Sequence, residues 1–99
     1  MLLDWFDARE AEKFGMDLAV FWDAKFRSNQ KTNDRKFTDK QKKLLADILS
    51  KVGEFGRSHS MNVFKKAKLG NAFRWKLRDL GHEDSMIEQI TKEILLALR

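Results

Sequence analysis

His59 and His82 are the only two imidazoles in the sequence, so a search for chemistry starts with them. His82 is followed by Glu83 and Asp84, and three such side chains could form a metal corner. A metal site needs ligands that converge with fixed geometry, and nothing in this spacing enforces convergence. His82 is expected on the surface after a helix end, and His59 in a turn. Ser58-His59-Ser60 sets hydroxyls beside an imidazole, but neighbours in sequence seldom face each other as nucleophile and base. The sequence also places no acid beside His59 to orient it. Asp7 and Glu10 share a helical face, but acid–base work would need one of them buried with a raised pKa. Near a helix N-terminus a carboxylate tends the other way, and both read as capping groups. Gly53-Glu54-Phe55-Gly56 matches neither a P-loop nor a dinucleotide turn. There is no Cys, which removes thiolate ligands, thiol nucleophiles and disulfides together. No catalytic residue, metal or cofactor is expected.

Binding chemistry has more to offer. Residues 24–80 carry sixteen basic and five acidic side chains, a net of +11, while residues 1–23 and 81–99 are net acidic. Lys25, Arg27, Lys31, Arg35, Lys36, Lys40, Lys42 and Lys43 form one group. Lys65, Lys66, Lys68, Arg74, Lys76 and Arg78 form another. Clustered cations bind phosphate backbones by counterion release, which makes such binding salt-dependent. Asn62, Asn71 and the arginines could add polar contacts to bases. The bland alternative is a solvated face neutralised by the acidic chain ends. Trp5, Phe6 and Trp75 are large rings at positions hard to bury, and an exposed ring of this size marks a partner surface. The default is that each folds back on the core. Trp75, flanked by Arg74, Lys76 and Arg78, could also stack on a base.

No glycine fits as the turn residue of a helix-turn-helix. Gly53 as the turn residue demands core positions at His59 and Asn62, Gly56 demands one at Lys51, and Gly70 demands them at Lys65 and Asp79. None of these fits the pattern.

The elements that must position these residues are helices. Pro is absent and Gly numbers five, so little breaks a helix. No hairpin signal and no sustained apolar–polar alternation appears. The first helix is expected from about Asp7 to Arg27, capped by Asp4 or Asp7. Its stripe is Phe14, Leu18, Phe21, Trp22 and Phe26. Residues 28–37 read as a polar linker. Thr38-Asp39-Lys40-Gln41 reads as a capping box. Helix two follows with Leu44, Leu45, Ile48, Leu49, Val52 and Phe55 inward, and Gly53 to Ser60 is the expected turn. Met61 to Leu80 reads as helix three, with Leu69, Phe73, Leu77 and Leu80 on one side. Met61, Phe64, Ala72 and Trp75 lie nearly opposite. A break at Gly70, with Asn71 capping a new helix, is the alternative. Gly81 suits a helix C′ position. Ser85-Met86-Ile87-Glu88 reads as a second capping box before helix four, whose stripe is Ile87, Ile90, Ile94, Leu95 and Leu98.

The chain is therefore expected to be one all-α domain over residues 1–99, a compact bundle of four helices, or five if helix three breaks at Gly70. The eight Phe and three Trp supply core material. The N-terminus lacks the basic region of a secretory signal, no apolar run approaches the ~18 residues of a membrane span, and a cytoplasmic location is expected. The favoured function is a non-enzymatic binding module with an anionic partner, nucleic acid or an acidic protein. That partner would meet Lys40, Lys43, Asn62, Lys65, Lys66, Lys68, Arg74, Lys76 and Arg78. The alternative is a protein-interaction or self-association domain, including a homodimer, using Trp5, Phe6 and Trp75. No membrane partner is expected.

Overall fold

The computed structural model describes residues 5–30 and 34–99, without the side chains of 34–37. Among the described residues there are four long helices and no strand: α1 (Arg9–Asn29), α2 (Asp34–Ser58), α3 (Val63–Asp79) and α4 (Asp84–Ala97). The expected capping role of Asp4 lies outside the described residues, as does part of the 28–37 linker.

Directions follow from the contacts. Asn62 reaches Trp5, Gly15 lies against Leu69 and Ala72, and His82 meets Asp23, so α1 and α3 run side by side in the same sense. Phe14 stacks on Phe55, and Asn29 donates to Gln41, so α2 runs antiparallel to α1. Arg78 pairs with Asp84 and Gly70 abuts Leu95, so α4 runs antiparallel to α3. Gly56 of α2 rests on Leu98, just past the end of α4. The core lies between them and is made of Leu18 and Trp22, Leu44, Ile48 and Val52, Leu69, Phe73 and Leu77, and Ile87, Ile90, Ile94 and Leu98. Each such side chain contributes roughly 1.5–3 kcal/mol by leaving water.

The tightest junction is α1 on α3. Ala8, Ala11, Gly15 and Ala19 present almost no side-chain bulk and are all buried. A Cβ at Gly15 would stand 2.4 Å from the Leu69 carbonyl oxygen, so the backbones meet where the glycine is. The approach leaves most of the opposite side of α3 to solvent, with Lys68, Asn71, Trp75 and Arg78 exposed there.

Several boundaries differ from the sequence expectation. Asp34-Arg35-Lys36-Phe37 contains nothing that breaks a helix, so α2 begins at Asp34 and Thr38 sits inside it, not at a cap. The helix also runs through Gly53 and Gly56 to Ser58, because Val52, Phe55 and Gly56 all have packing partners; the turn is confined to residues 59–62. Helix α3 is continuous through Gly70. That glycine is buried 3.2 Å from where Leu95 would meet its Cβ, so it serves close packing instead of ending a helix. Asn62, not Asn71, is the cap: its Oδ1 accepts from the Lys65 N–H at 2.8 Å. Helix α4 starts at Asp84 with Glu83 as N-cap and no side-chain cap bond, which places Ser85 in the first turn. Gly81 does sit at φ +90°, and the bonds from His82 N–H to Leu77 O and from Gly81 N–H to Arg78 O close a Schellman motif.

Candidate interaction surface

With its Leu69–Phe73–Leu77 side buried, α3 turns a second stripe to solvent. Phe64, Lys68, Asn71, Trp75 and Arg78 follow one another at spacings of four, three, four and three. At about 100° per residue they occupy an arc of about 80°, a single seam down the helix. Trp75 is 57% exposed. The Arg78 guanidinium lies 4.9 Å from the Trp75 ring centre, and the Lys68 ammonium 5.4 Å from that of Phe64. Each ring of the seam thus carries a cation from the next position along it, an attraction between positive charge and the ring's negative face.

The N-terminal aromatics join this seam. Trp5 stacks on Phe64 at 6.0 Å between ring centres, Phe6 meets Phe64 edge-on at 5.3 Å, and Trp5 and Phe6 meet each other at 4.9 Å. The Asn62 amide Nδ2 donates to the Trp5 carbonyl at 2.9 Å, which ties the knot to the α3 cap. Trp5 and Phe6 do not fold into the core: they remain 43% and 51% exposed. The reason is geometric, since the α1–α3 junction is already filled by Ala8, Ala11 and Gly15 and has no space for them. Val63, at the start of α3, is a further exposed apolar side chain.

The basic residues are not gathered into one face. Arg74 pairs with Glu88 of α4, Nε to Oε1 at 2.9 Å, with the Nε–H directed away from the oxygen and Nη2 donating to Oε2 at 3.3 Å. Arg78 pairs with Asp84 at 3.3 Å. Lys66 faces the far side of α3, beside Leu98 and Arg99, while Lys68 is on the seam. Lys65, beside Asp7, Arg9 and Glu10, and Lys76 are half-buried. Lys40 and Lys43 are exposed on the first turns of α2, before its first core residue, Leu44. Asn62 is committed to its cap and to Trp5, and is not turned outward.

His82 is not where the sequence expectation put it, whereas His59 lies as expected in the turn between α2 and α3. The His82 side chain is only 6% exposed; its Nε2 donates to Asp23 Oδ1 at 2.8 Å and its ring meets Phe26 edge-on. Arg27 also reaches Asp23, at 2.9 Å, and donates to the Leu80 carbonyl. This network fastens the α3–α4 loop to α1. His59 does have an acid beside it: Glu10 comes from α1 to place Oε2 3.1 Å from Nε2. With Asp7, Arg9, Phe55, Ser58 and Lys65 it borders an open cleft of about 630 Å³. Ser58, His59 and Glu10 thus stand in line, but the polarity is wrong for a nucleophile. His59 Nδ1 lies 3.0 Å from the Phe55 carbonyl, which can only accept, so Nδ1 carries a hydrogen and cannot take one from Ser58. The Ser58 hydroxyl is directed at the Glu54 and Phe55 carbonyls. Asp7 is held down at about 2 by hydrogen bonds from the Arg9 side chain and then its backbone N–H, the opposite of a general acid.

Among the described residues no group of three or more His, Asp or Glu side chains is placed to hold a metal ion, and no helix is long and apolar enough to cross a membrane. The chain matches no protein-family model, no curated protein and no solved structure.

Proposed function

We propose that the chain is a non-enzymatic helical interaction module that docks a protein partner on the outer face of α3. The observation that carries this reading is the seam itself: Trp75 lies exposed on it, Trp5 and Phe6 lie exposed on the partly buried Phe64, and cations are seated on the Trp75 and Phe64 rings. Aromatic and arginine side chains are the residue types that anchor protein interfaces. The cationic middle of the sequence supports nucleic acid less well, because Arg74 pairs with Glu88 of α4 and the lysines of α3 point in different directions. The test is a photo-reactive amino acid placed in living cells at Asn71, on the seam, and at Gln89, on the exposed side of α4. Protein adducts from Asn71 and none from Gln89 are expected. Absence of adducts from Asn71 sinks the proposal.

One observation favours a second reading. The start of α2, with Lys40, Lys42 and Lys43 exposed, lies ahead of the core and is free to meet a phosphate backbone without disturbing the seam. Titration into labelled duplex DNA and single-stranded RNA at low and high salt decides it. Binding that weakens steeply with salt is expected of phosphate contacts, and no binding at micromolar protein near about 50 mM salt removes this reading.

A further inference from the structure

We infer that the partner on the α3 seam is a second copy of this chain, docked antiparallel about a two-fold axis through Asn71. This rests on the docking-face reading above and names its occupant. The order along the seam is ring, cation, amide, ring, cation: Phe64, Lys68, Asn71, Trp75, Arg78. Turned end for end against itself, it sets Arg78 of one copy on Phe64 of the other, Lys68 on Trp75, and Asn71 on Asn71. Every cation meets a ring and the amides meet each other. Laid parallel, the same seam sets Lys68 on Lys68 and Arg78 on Arg78, a like-charge clash at two of five levels. The pattern therefore selects one orientation of a self-complementary, isologous contact.

Phe64 and Arg78 are about 21 Å apart along the helix, with Asn71 midway. The seam is thus symmetric in length as well as in chemistry. The ring–cation contacts inside one chain, Lys68 on Phe64 and Arg78 on Trp75, show that these side chains reach ring faces at this spacing. Area is sufficient for a modest interface. Trp5, Phe6 and Trp75 are each about half exposed, while Phe64 is partly buried, and a ring of this kind has roughly 200 Å² to bury, so the six exposed rings of two copies offer on the order of 600 Å². Lys68, Arg78 and Val63 from both copies bring the total past the ~1,000 Å² that a specific interface needs. The dimer is accordingly one that forms and separates with concentration.

The chain has no Cys, so single cysteines report cleanly. Light scattering of the purified chain across a dilution series gives the mass. Asn71→Cys and Lys68→Cys are then oxidised side by side. A dimer in which Asn71→Cys closes a disulfide between copies and Lys68→Cys does not is the expected result, because two-fold related positions three residues off the axis are separated by about 9 Å along the helices. Trp75→Ala, with unchanged circular dichroism, raises the dimer dissociation constant roughly thirtyfold or more, as loss of a central aromatic anchor does. Equal cross-linking at both positions overturns the antiparallel geometry, and an unchanged dissociation constant in Trp75→Ala overturns the seam as the contact. A monomer at every concentration overturns the second copy. If the Asn71 photo-adducts then contain a different protein, the docking face stands without it; if there are no adducts, both readings fall.

Discussion

Replacing Gly15 by Ala tests the packing that leaves the α3 seam facing solvent. The new Cβ would lie 2.4 Å from Leu69 O, 3.1 Å from Ala72 Cβ and 3.2 Å from Phe73 N, whereas ordinary contact begins at 3.4 Å. Two of these three neighbours are backbone atoms and none can swing aside, so α1 and α3 must separate by about 1 Å along a junction of buried small residues. Overpacking of this kind costs about 1–3 kcal/mol. The helix-forming advantage of Ala over Gly returns about 1 kcal/mol. With the clash against backbone the cost lies at the upper end, and the net loss is about 1–2 kcal/mol. For a domain of this size that lowers the thermal midpoint by roughly 5–15 °C. Gly53→Ala is the matched control: its nearest neighbour is the flexible Arg57 guanidinium at 3.3 Å, and it should gain about 0.5–1 kcal/mol. Thermal and urea unfolding, followed by far-ultraviolet circular dichroism, measure both variants. A Gly15→Ala protein as stable as the parent would refute the backbone approach of α1 to α3, and with it the reason Trp5 and Phe6 stay outside.

Three further outcomes follow from the same geometry. Thr91 is buried and its Oγ1 has no hydrogen-bond partner among the described residues, so Thr91→Val should stabilise the fold by about 1 kcal/mol; a loss in urea unfolding would mean the hydroxyl is bonded. Asn62→Ala removes the α3 cap and the tie to Trp5, with an expected cost of about 1 kcal/mol and faster quenching of tryptophan fluorescence by acrylamide; unchanged quenching would place Trp5 beyond the influence of Asn62. Asp7 has a folded-state pKa near 2, below its ordinary 3.8, so its contact with Arg9 persists as the pH drops through 4 and disappears only near 2. The sign is that of a depressed carboxylate, whose contribution is present above the unfolded value and is lost as pH falls through the folded one. A carboxyl-carbon NMR titration with its midpoint near 4 would contradict this.

The sequence by itself determined the helices and most of the core. Leu44, Ile48, Val52, Leu69, Phe73, Leu77, Ile87, Ile90 and Ile94 recur at helical spacing, and all of them are buried. The Gly81 terminus was equally legible, because a positive φ is local and glycine adopts it most easily. What sequence could not weigh was competition between signals. Thr38 and Ser85 carry capping-box patterns, yet Asp34 and Asp84 begin the helices, since a cap contributes about 1 kcal/mol and another turn of a packed helix can exceed it. Gly53, Gly56 and Gly70 look like breaks, and each lies inside a helix; Gly56 and Gly70 do so because Leu98 and Leu95 pack close against them. The seam was half visible: Phe64 and Trp75 fall opposite Leu69 on the wheel, and their four-three-four-three spacing with Lys68, Asn71 and Arg78 was the signal that would have set Phe64 beside Trp75 on one seam. Only the tertiary structure decided which charges were spent on partners. Glu88 and Asp84 reach Arg74 and Arg78, Glu10 reaches His59, and Asp23 reaches His82, all across gaps in sequence that only the packing of α1, α3 and α4 closes. Charge and apolar spacing are properties of a segment, but exposure and pairing belong to the faces that segments turn toward one another.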